Sequence, residues 1–400
     1  MDKKPEKLVP EVRFKGFTDD WEQHKLENVF TKYQKRINPT QQNLELWSLT
    51  IDQGLVAKTK RYDRSFLVRK NDIFNLVPKG YFVYNPMNIT LGTIDVNKYH
   101  SIAVSGYYIV LKSNDQFNVA FLASLLHTSS MINKYKSFST GSLLEKQRLQ
   151  FPNFAKVKII SPRLSEQTKI GLLMNQVNNL IDLQQRKLEQ LNLLQKYVKE
   201  KTLPSQKKLP KLRFLNTPYN TYKFSELFKK STKKNDGQIL QNHVISVANM
   251  RWGKLPKSSS EAYMKTYFIF NEGDIAYEGN RSKNYSFGRF VANDLGNGIV
   301  SHVFSVFNSK SNFNLEFLKN YINSEQVMRD PLRMSTSRTT MMTNLVLKDI
   351  AKQTLMIPSK DEQDLLGSLY KIIQSLIELN VKKKQELIHL KNYLLQKLFV

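Results

Sequence analysis

Residues 166–203 read EQTKIGLLMNQVNNLIDLQQRKLEQLNLLQKYVKEKTL, and residues 362–399 read EQDLLGSLYKIIQSLIELNVKKKQELIHLKNYLLQKLF. The two stretches align without a gap at an offset of 196: Glu166 with Glu362, Gly171 with Gly367, Lys187 with Lys383, Tyr197 with Tyr393, Lys201 with Lys397. Both carry a helical period. In the first, Ile170, Leu173, Val177, Leu180, Leu191, Leu194 and Val198 fall at the a and d positions of a heptad. In the second, Leu366, Leu369, Ile373, Leu376, Leu387, Leu390 and Leu394 take the same slots. Neither stretch contains proline, and each is long enough for about 60 Å of helix. So narrow and so long a stripe predicts a coiled-coil seam, and two such helices in one chain most simply pair with each other. The seam turns polar at the same place in both copies, at Gln184 and Lys187 and at Asn380 and Lys383. That is either a solvated wobble in the stripe or a buried polar pair that fixes register.

Working outward, the duplication extends over the whole chain. Pro10-Glu-Val-Arg-Phe14 opens the first half and Pro210-Lys-Leu-Arg-Phe214 the second, each followed by an aromatic-flanked amphipathic stretch, KLENVF and KFSELF. Asn71-Asp72-Ile73 corresponds to Gly273-Asp274-Ile275. Residues 104–111 match 300–307 and predict a strand by alternation. Phe117–Leu122 repeats as Phe313–Leu318, a short helix by pattern, and Thr140 and Leu149 match Thr336 and Leu345. Each half is therefore expected to be a globular head followed by a long helix. The copies differ most over residues ~35–100 and ~230–298, as expected of two binding heads for different targets or of neutral drift.

The charge narrows the partner. With 61 Lys and Arg against 34 Asp and Glu, the net charge is +27 and the pI is near 9.8. A polyanion, nucleic acid first, is the expected partner. There is no cysteine, which excludes disulfides and cysteine-ligated zinc and fits a reducing cytoplasm. The opening MDKKPEKLVPEVRF has no apolar core, so no secretory signal is expected, and no apolar run is long enough to span a membrane.

The divergent middles hold the candidate contact residues. In the first half these are the basic run Lys58, Lys60, Arg61 and Arg64, then Lys79 and Tyr81, then Asn88 and Thr90. In the second they are Arg251 and Lys254 and the donor-rich loop with Asn280, Arg281, Lys283, Asn284 and Arg289. Such side chains bond phosphates and base edges, Arg preferring guanine and Asn adenine; singly, each is equally well ordinary solvated surface. A second candidate set is Thr140 and Ser142, with Ser337, Arg338 and Thr339 in the other copy. Helices are predicted around Leu143–Leu149 and Met341–Leu347, whose open N-termini would favour phosphate or simply be capped.

Catalytic patterns are missing. There is no G-x-x-x-x-G-K-[ST], no G-x-G-x-x-G before a helix, and the six histidines have no metal spacing. Asn85-Pro86-Met87-Asn88 has the Asn-Pro of the amino-methyltransferase motif but neither its second proline nor its aromatic, and reads as a turn.

With these residues laid out, the chain resembles the specificity subunit of type I restriction–modification systems over nearly its whole length. The resemblance is carried by the Thr/Ser-Gly turn and by Ile159-Ile-Ser-Pro-Arg-Leu-Ser-Glu-Gln167, which leads straight into the long helix, with Leu355-Met-Ile-Pro-Ser-Lys-Asp-Glu-Gln363 in the second copy. Each copy keeps one proline where the family has one or two. The resemblance implies an α+β fold with two mixed α/β target recognition domains, residues 1–158 and 210–354. These would be separated by helical regions 159–209 (long helix about 165–203) and 355–400 (about 361–399) that form an antiparallel coiled coil. The implied seam comprises Leu173, Val177, Leu180, Gln184, Leu191 and Leu194 with Leu369, Ile373, Leu376, Asn380, Leu387 and Leu390. Each domain would read half of a split, asymmetric site in double-stranded DNA, and a separation of roughly 45–60 Å spans about 13–18 base pairs. The helices would hold two methyltransferase subunits, which supply S-adenosylmethionine and adenine N6 methylation on a flipped base. Motor-nuclease subunits would bring ATP and Mg²⁺. On this resemblance the chain itself binds no cofactor or metal and is no enzyme alone. A specificity component of another restriction type, or a two-headed scaffold, is the alternative.

Overall fold

The computed structural model describes residues 9–39, 42–51, 53–58, 73–141, 147–205, 208–239, 241–253, 261–338 and 342–400. They form two compact units, residues 1–185 with 382–400, and residues 186–381.

The head of the first unit begins with β1 (Glu22–Lys25), α1 (Leu26–Val29) and β2 (Phe30–Tyr33). It continues through β3 (Arg36–Ile37), β4 (Leu46–Thr50), β5 (Gly54–Ala57), β6 (Phe74–Val77), β7 (Phe82–Tyr84), β8 (Ile94–Val96), β9 (Ile102–Ser105) and β10 (Ile109–Ser113). Helices α2 (Val119–Leu125), α3 (Ser129–Phe138) and α4 (Phe151–Lys156) follow. Then β11 (Lys158–Ser161) pairs with β1 and leads into the long helix α5 (Leu164–Thr202). The strands make sheets of order β2-β10-β7-β8 and β3-β6-β9-β4-β5, antiparallel except for β4 beside β9.

Alternation along the shared strands explains why there are two cores. Phe82, Tyr84 and Leu111 face one way, into a core with Trp21, Phe30, Phe121, Phe154, Ile170, Met174 and Phe399. Val83 and Val110 face the other way and meet Trp47, Leu49, Leu55, Val77, Ile102 and Val104.

The second unit repeats this logic. Its elements are β12 (Asn220–Lys223), α6 (Phe224–Leu227), β13 (Phe228–Lys230), β14 (Ile245–Ser246), β15 (Arg251–Trp252), α7 (Glu261–Met264), β16 (Phe268–Phe270) and β17 (Ile275–Glu278). Next come β18 (Arg289–Ala292), β19 (Gly298–Val300), β20 (Ser305–Ser309), α8 (Leu315–Ile322), α9 (Glu325–Arg333), β21 (Thr336–Arg338) and β22 (Thr343–Leu345). The unit closes with α10 (Leu347–Ile350), β23 (Thr354–Ile357) and the long helix α11 (Lys360–Lys397). Its sheet β13-β20-β17-β18 has the same order as β2-β10-β7-β8. Ile275, Tyr277 and Phe307 enter the core against the helices, whereas Ala276 and Val306 enter the other.

Both long helices fall within two residues of their expected bounds. In the first unit Lys384 donates to Gln185 at 2.6 Å. In the second, ten residues later on α5, Gln195 donates to Gln374, ten residues earlier on α11, at 2.9 Å. The pairing is antiparallel in each.

Three expectations are corrected. The strand over residues 104–111 is two strands, because Gly106–Tyr108 turns back with Tyr108 N donating to Ser105 O at 3.0 Å. The described parts of the helices expected around Leu143–Leu149 and Met341–Leu347 are extended as far as Val346, after which α10 begins: Thr140 bridges to Arg148, and β22 occupies Thr343–Leu345 against β21. The seam keeps its a positions, with Val177, Ile373 and Asn380 buried and Gln184, Leu191 and Leu387 half-buried. Its other line is displaced by one residue. Leu180, Leu194, Leu376 and Leu390 are exposed, as are Lys187 and Lys383, whereas Met174, Leu188, Tyr370 and Ile377 are buried. Leu173 and Leu369 lie half-buried at the seam's edge. Leu188 packs with Ile373 and Ile377. The physical reason is that the sequence offers adjacent apolar pairs, Leu173-Met174 and Leu180-Ile181, so both phases are apolar over these turns, and at Lys187-Leu188 only the displaced one stays so.

Candidate nucleic-acid interface

In the second unit the loop between β17 and β18 and the β21–β22 hairpin are locked together. A Cβ at Gly279 would meet Thr343 O at 2.2 Å, so only glycine admits this approach. Thr343 N and Oγ1 donate to Gly279 O at 2.9 and 3.0 Å, and Asn280 bridges to Met342. At the other end, Gly288 has φ +75 and lies under the Tyr277 hydroxyl. That hydroxyl donates to Phe287 O at 2.8 Å and meets Thr343 Oγ1 at 2.6 Å. Burial raises the Tyr277 pKa, which keeps the donor proton in place. Between the glycines the chain turns tightly, Ser282 and Tyr285 exchanging backbone bonds, and Tyr285 Oη donates to Asn323 at 2.6 Å.

This frame brings Asn280, Arg281, Lys283 and Asn284 on the loop together with Ser337 and Arg338 on the hairpin, all exposed. The Arg338 guanidinium sits 5.7 Å over the Phe287 ring. Arg289 plays a different part from the one its sequence suggested. Its Nε donates to the buried Glu278 carboxylate at 2.7 Å and its Nη2 to Ala248 O at 2.6 Å, while the guanidinium covers Tyr285 at 5.1 Å. A guanidinium so engaged holds the loop rather than a base. Through Ala248 it also ties in the β14–β15 hairpin, which carries Arg251 and Trp252 exposed. Lys254 and Thr339 lie outside the described residues.

The first unit shares the junction but scatters the candidates. Thr140 and Arg148 exchange backbone bonds at 2.9 Å, and Leu149 N donates to Pro86 O at 2.9 Å, docking this hairpin on the loop after β7. Arg148 bonds the Tyr107 hydroxyl and lies 5.9 Å over its ring. Lys58 stands 5.6 Å over Phe74, and the neighbouring Asn75 holds the β9–β10 turn through Tyr108 O at 2.8 Å. Asn88 is half-buried beside the hairpin's docking loop. Thr90 is buried beside Ile89 and so is not presented for contact, and the half-buried Tyr81 packs at 5.0 Å on Tyr33. Lys79 is exposed but sits at the opposite end of β7 from that loop. Lys60, Arg61, Arg64 and Ser142 lie outside the described residues. Tyr107 and Arg148 were missed; a Tyr on a two-strand turn and an Arg eight residues past Thr140 become legible only once the hairpin is known.

Among the described residues no three His, Asp or Glu side chains converge to hold a metal, and no helix is long and apolar enough to cross a membrane. A further surface lies on the long helices. In the first unit Leu172, Leu180, Leu183, Leu390 and Tyr393 are exposed; in the second Leu193, Leu194, Tyr197, Ile372, Leu376 and Leu379 are. Four of these recur at the offset of 196, at 180/376, 183/379, 194/390 and 197/393. The helices therefore have two apolar faces, one turned inward and one outward.

Residues 18–193 match the family model described as "Type I restriction modification DNA specificity domain". No curated protein matches the chain. Among solved structures, the type I restriction–modification S subunit from M. genitalium is similar with a TM-score of 0.61 at 12% identity, covering 98% of this chain and 99% of that one. A structure described as the basis of complex assembly and conformational transition of the type I R-M system gives 0.52 at 13%, covering 95% and 97%. An HsdS subunit from Thermoanaerobacter tengcongensis gives 0.45 at 15%, covering 95% and 96%. At these identities the first two likenesses speak for the fold, mixed α/β heads with long helices, over the length of both chains.

Proposed function

Because residues 18–193 match the model of the type I restriction–modification DNA specificity domain, we propose that the chain is the DNA-reading subunit of such a complex, each head reading half of a split, asymmetric site. The observation that carries this is the glycine-locked frame of the second unit. It presents Asn280, Arg281, Lys283, Asn284 and Arg338 on one exposed surface, with the buried Glu278 carboxylate beneath them already paired with Arg289. Guanidinium and amide groups so held suit base edges in the major groove, and the ammonium groups suit phosphate. In the first unit Arg148, Tyr107 and Lys58 serve as the corresponding contacts.

The outward apolar stripe is the docking face for two methyltransferase subunits, because its repetition at the offset of 196 offers each copy an equivalent set of leucines and one tyrosine. Those subunits supply S-adenosylmethionine and adenine N6 methylation, and motor-nuclease subunits supply ATP and Mg²⁺ chemistry. The chain itself contributes the address and no chemistry, and works in the cytoplasm. The test is methylome sequencing of a methylation-free host carrying this chain with its methyltransferase subunit, against the methyltransferase alone. New N6-methyladenine at one split motif, only when the chain is present, is the expected result. With both proteins soluble and associated, unchanged methylation would overturn the reading and leave a scaffold.

A further inference from the structure

The first turns of the two long helices carry a joint that recurs residue for residue. In the first unit the buried Gln167 uses both ends of its amide: Oε1 accepts from Asn118 N at 2.9 Å and Nε2 donates to Pro162 O at 2.8 Å. Asn118 in turn caps α2, its Oδ1 accepting from Ala120 N and Phe121 N at 3.0 Å each. It sits directly on the helix at Gly171, where a Cβ would stand 2.5 Å from Asn118 Oδ1 and 2.9 Å from Phe121 N. In the second unit Gln363 accepts from Asn314 N at 3.2 Å and donates to Pro358 O at 3.1 Å. Asn314 caps α8 through Phe317 N, and a Cβ at Gly367 would stand 2.1 Å from its Oδ1.

The glutamate before each glutamine anchors the segment leading into its head. Glu166, 1% exposed, takes Arg13 in a two-pronged ion pair at 2.8 Å. Glu362, fully buried, accepts from Phe214 N and Leu215 N at 2.9 and 2.7 Å.

Glycine inside a helix is unfavourable on its own account, and a buried glutamine is tolerated only when its amide is satisfied. Both are present in both copies, at positions whose partners are also duplicated. We infer that Gln167–Asn118–Gly171 and Gln363–Asn314–Gly367 are stiff couplings that set the angle at which each head leaves its helix. They thereby fix the spacing between half-sites that the chain accepts. These are positioning residues: none lies in the loops that face a ligand. The inference rests on the reading that each head takes one half-site.

The experiment is methylome sequencing with the full chain and its methyltransferase partner, comparing wild type with Gly171→Ala, Gly367→Ala, Gln167→Glu and Gln363→Glu. The glutamates keep the side-chain volume and lose the amide donor to the proline carbonyl. The expected result is unchanged half-site bases with a relaxed spacer. Preference for the native spacer over one base pair more or less falls about fivefold or more, the worth of one hydrogen bond. Met131→Ala, a cavity in the same core, lowers melting and leaves the spacer alone. Assembled variants that keep wild-type spacer discrimination overturn the inference, as do variants that change half-site bases instead. Should the alanine variants fail to assemble, the glutamate variants decide. A wild-type complex with no split motif is a failure of the functional reading, not of the joint.

Discussion

Replacing Arg289 and replacing Arg281 should have opposite signatures, although the two are neighbours in one donor-rich loop. The Arg289 side chain is 23% exposed and its partner Glu278 6%, at 2.7 Å. Removing the arginine leaves the carboxylate, among the described side chains, with the Asn280 amide at 3.3 Å. Breaking a buried pair from one side costs ~3–5 kcal/mol, and the partial exposure of Arg289 reduces this to about 2–3 kcal/mol. In a unit of this size each kcal/mol moves the melting temperature by roughly 2–4 °C, so Arg289→Ala should melt about 4–12 °C lower. Arg281 is exposed, and Arg281→Ala should stay within about 0.5 kcal/mol of wild type in stability. It should instead lose about 1–3 kcal/mol of base preference at one half-site. Thermal unfolding and competition binding of the assembled complex, on DNA altered in one half-site at a time, measure both. The double variant Glu278→Gln with Arg289→Met should recover most of the stability, since no charge is then stranded. An Arg289→Ala protein that melts with wild type yet reads the site as poorly as Arg281→Ala would refute the assignment of Arg289 to the frame.

Two further outcomes follow from the helices and the second core. Leu188→Ala should destabilise by about 2–3 kcal/mol, and Leu180→Ala by under about 0.5 kcal/mol in the isolated chain while weakening methyltransferase association; melting curves and binding titrations with the reverse ranking would restore the original seam phase. Lys230 lies 5.3 Å over Phe268 and 5.4 Å over Phe307, and burial lowers its pKa below 10.5. The folded state then holds fewer protons at this site than the unfolded one, so its contribution to stability rises as pH climbs towards 10.5. Denaturant titrations should show that increment in wild type and not in Lys230→Met.

Much of the architecture was legible because duplication supplies its own check. The offset found in the helices recurs at Asn118 and Asn314, at Pro162 and Pro358, and at Gly171 and Gly367. What failed to be legible failed for local reasons. The run Leu143-Leu-Glu-Lys-Gln-Arg-Leu149 has good helix formers throughout, yet at its described end Arg148 pairs with Thr140 and Leu149 is buried on the Pro86 loop, so there tertiary pairing overrides propensity. The seam phase was undetermined because an inward and an outward stripe are both apolar. At the candidate interface, composition pointed to the donor-rich loop but could not separate the exposed Arg281 from Arg289, which braces the loop. That distinction depends on Glu278 and Ala248, which are brought there by β17 and the β14–β15 turn.

The pinch at Gly279 also bears on how such a protein changes over generations. The loop is held from outside by Thr343 and Tyr277 and from within by the Ser282–Tyr285 turn. None of these bonds uses the side chain of Arg281, Lys283 or Asn284. Heritable substitutions at those three positions can rewrite what the surface favours without disturbing the fold beneath it. On the proposed reading, a few codon changes there would give a lineage a new address while the frame that carries the loop stays as it is.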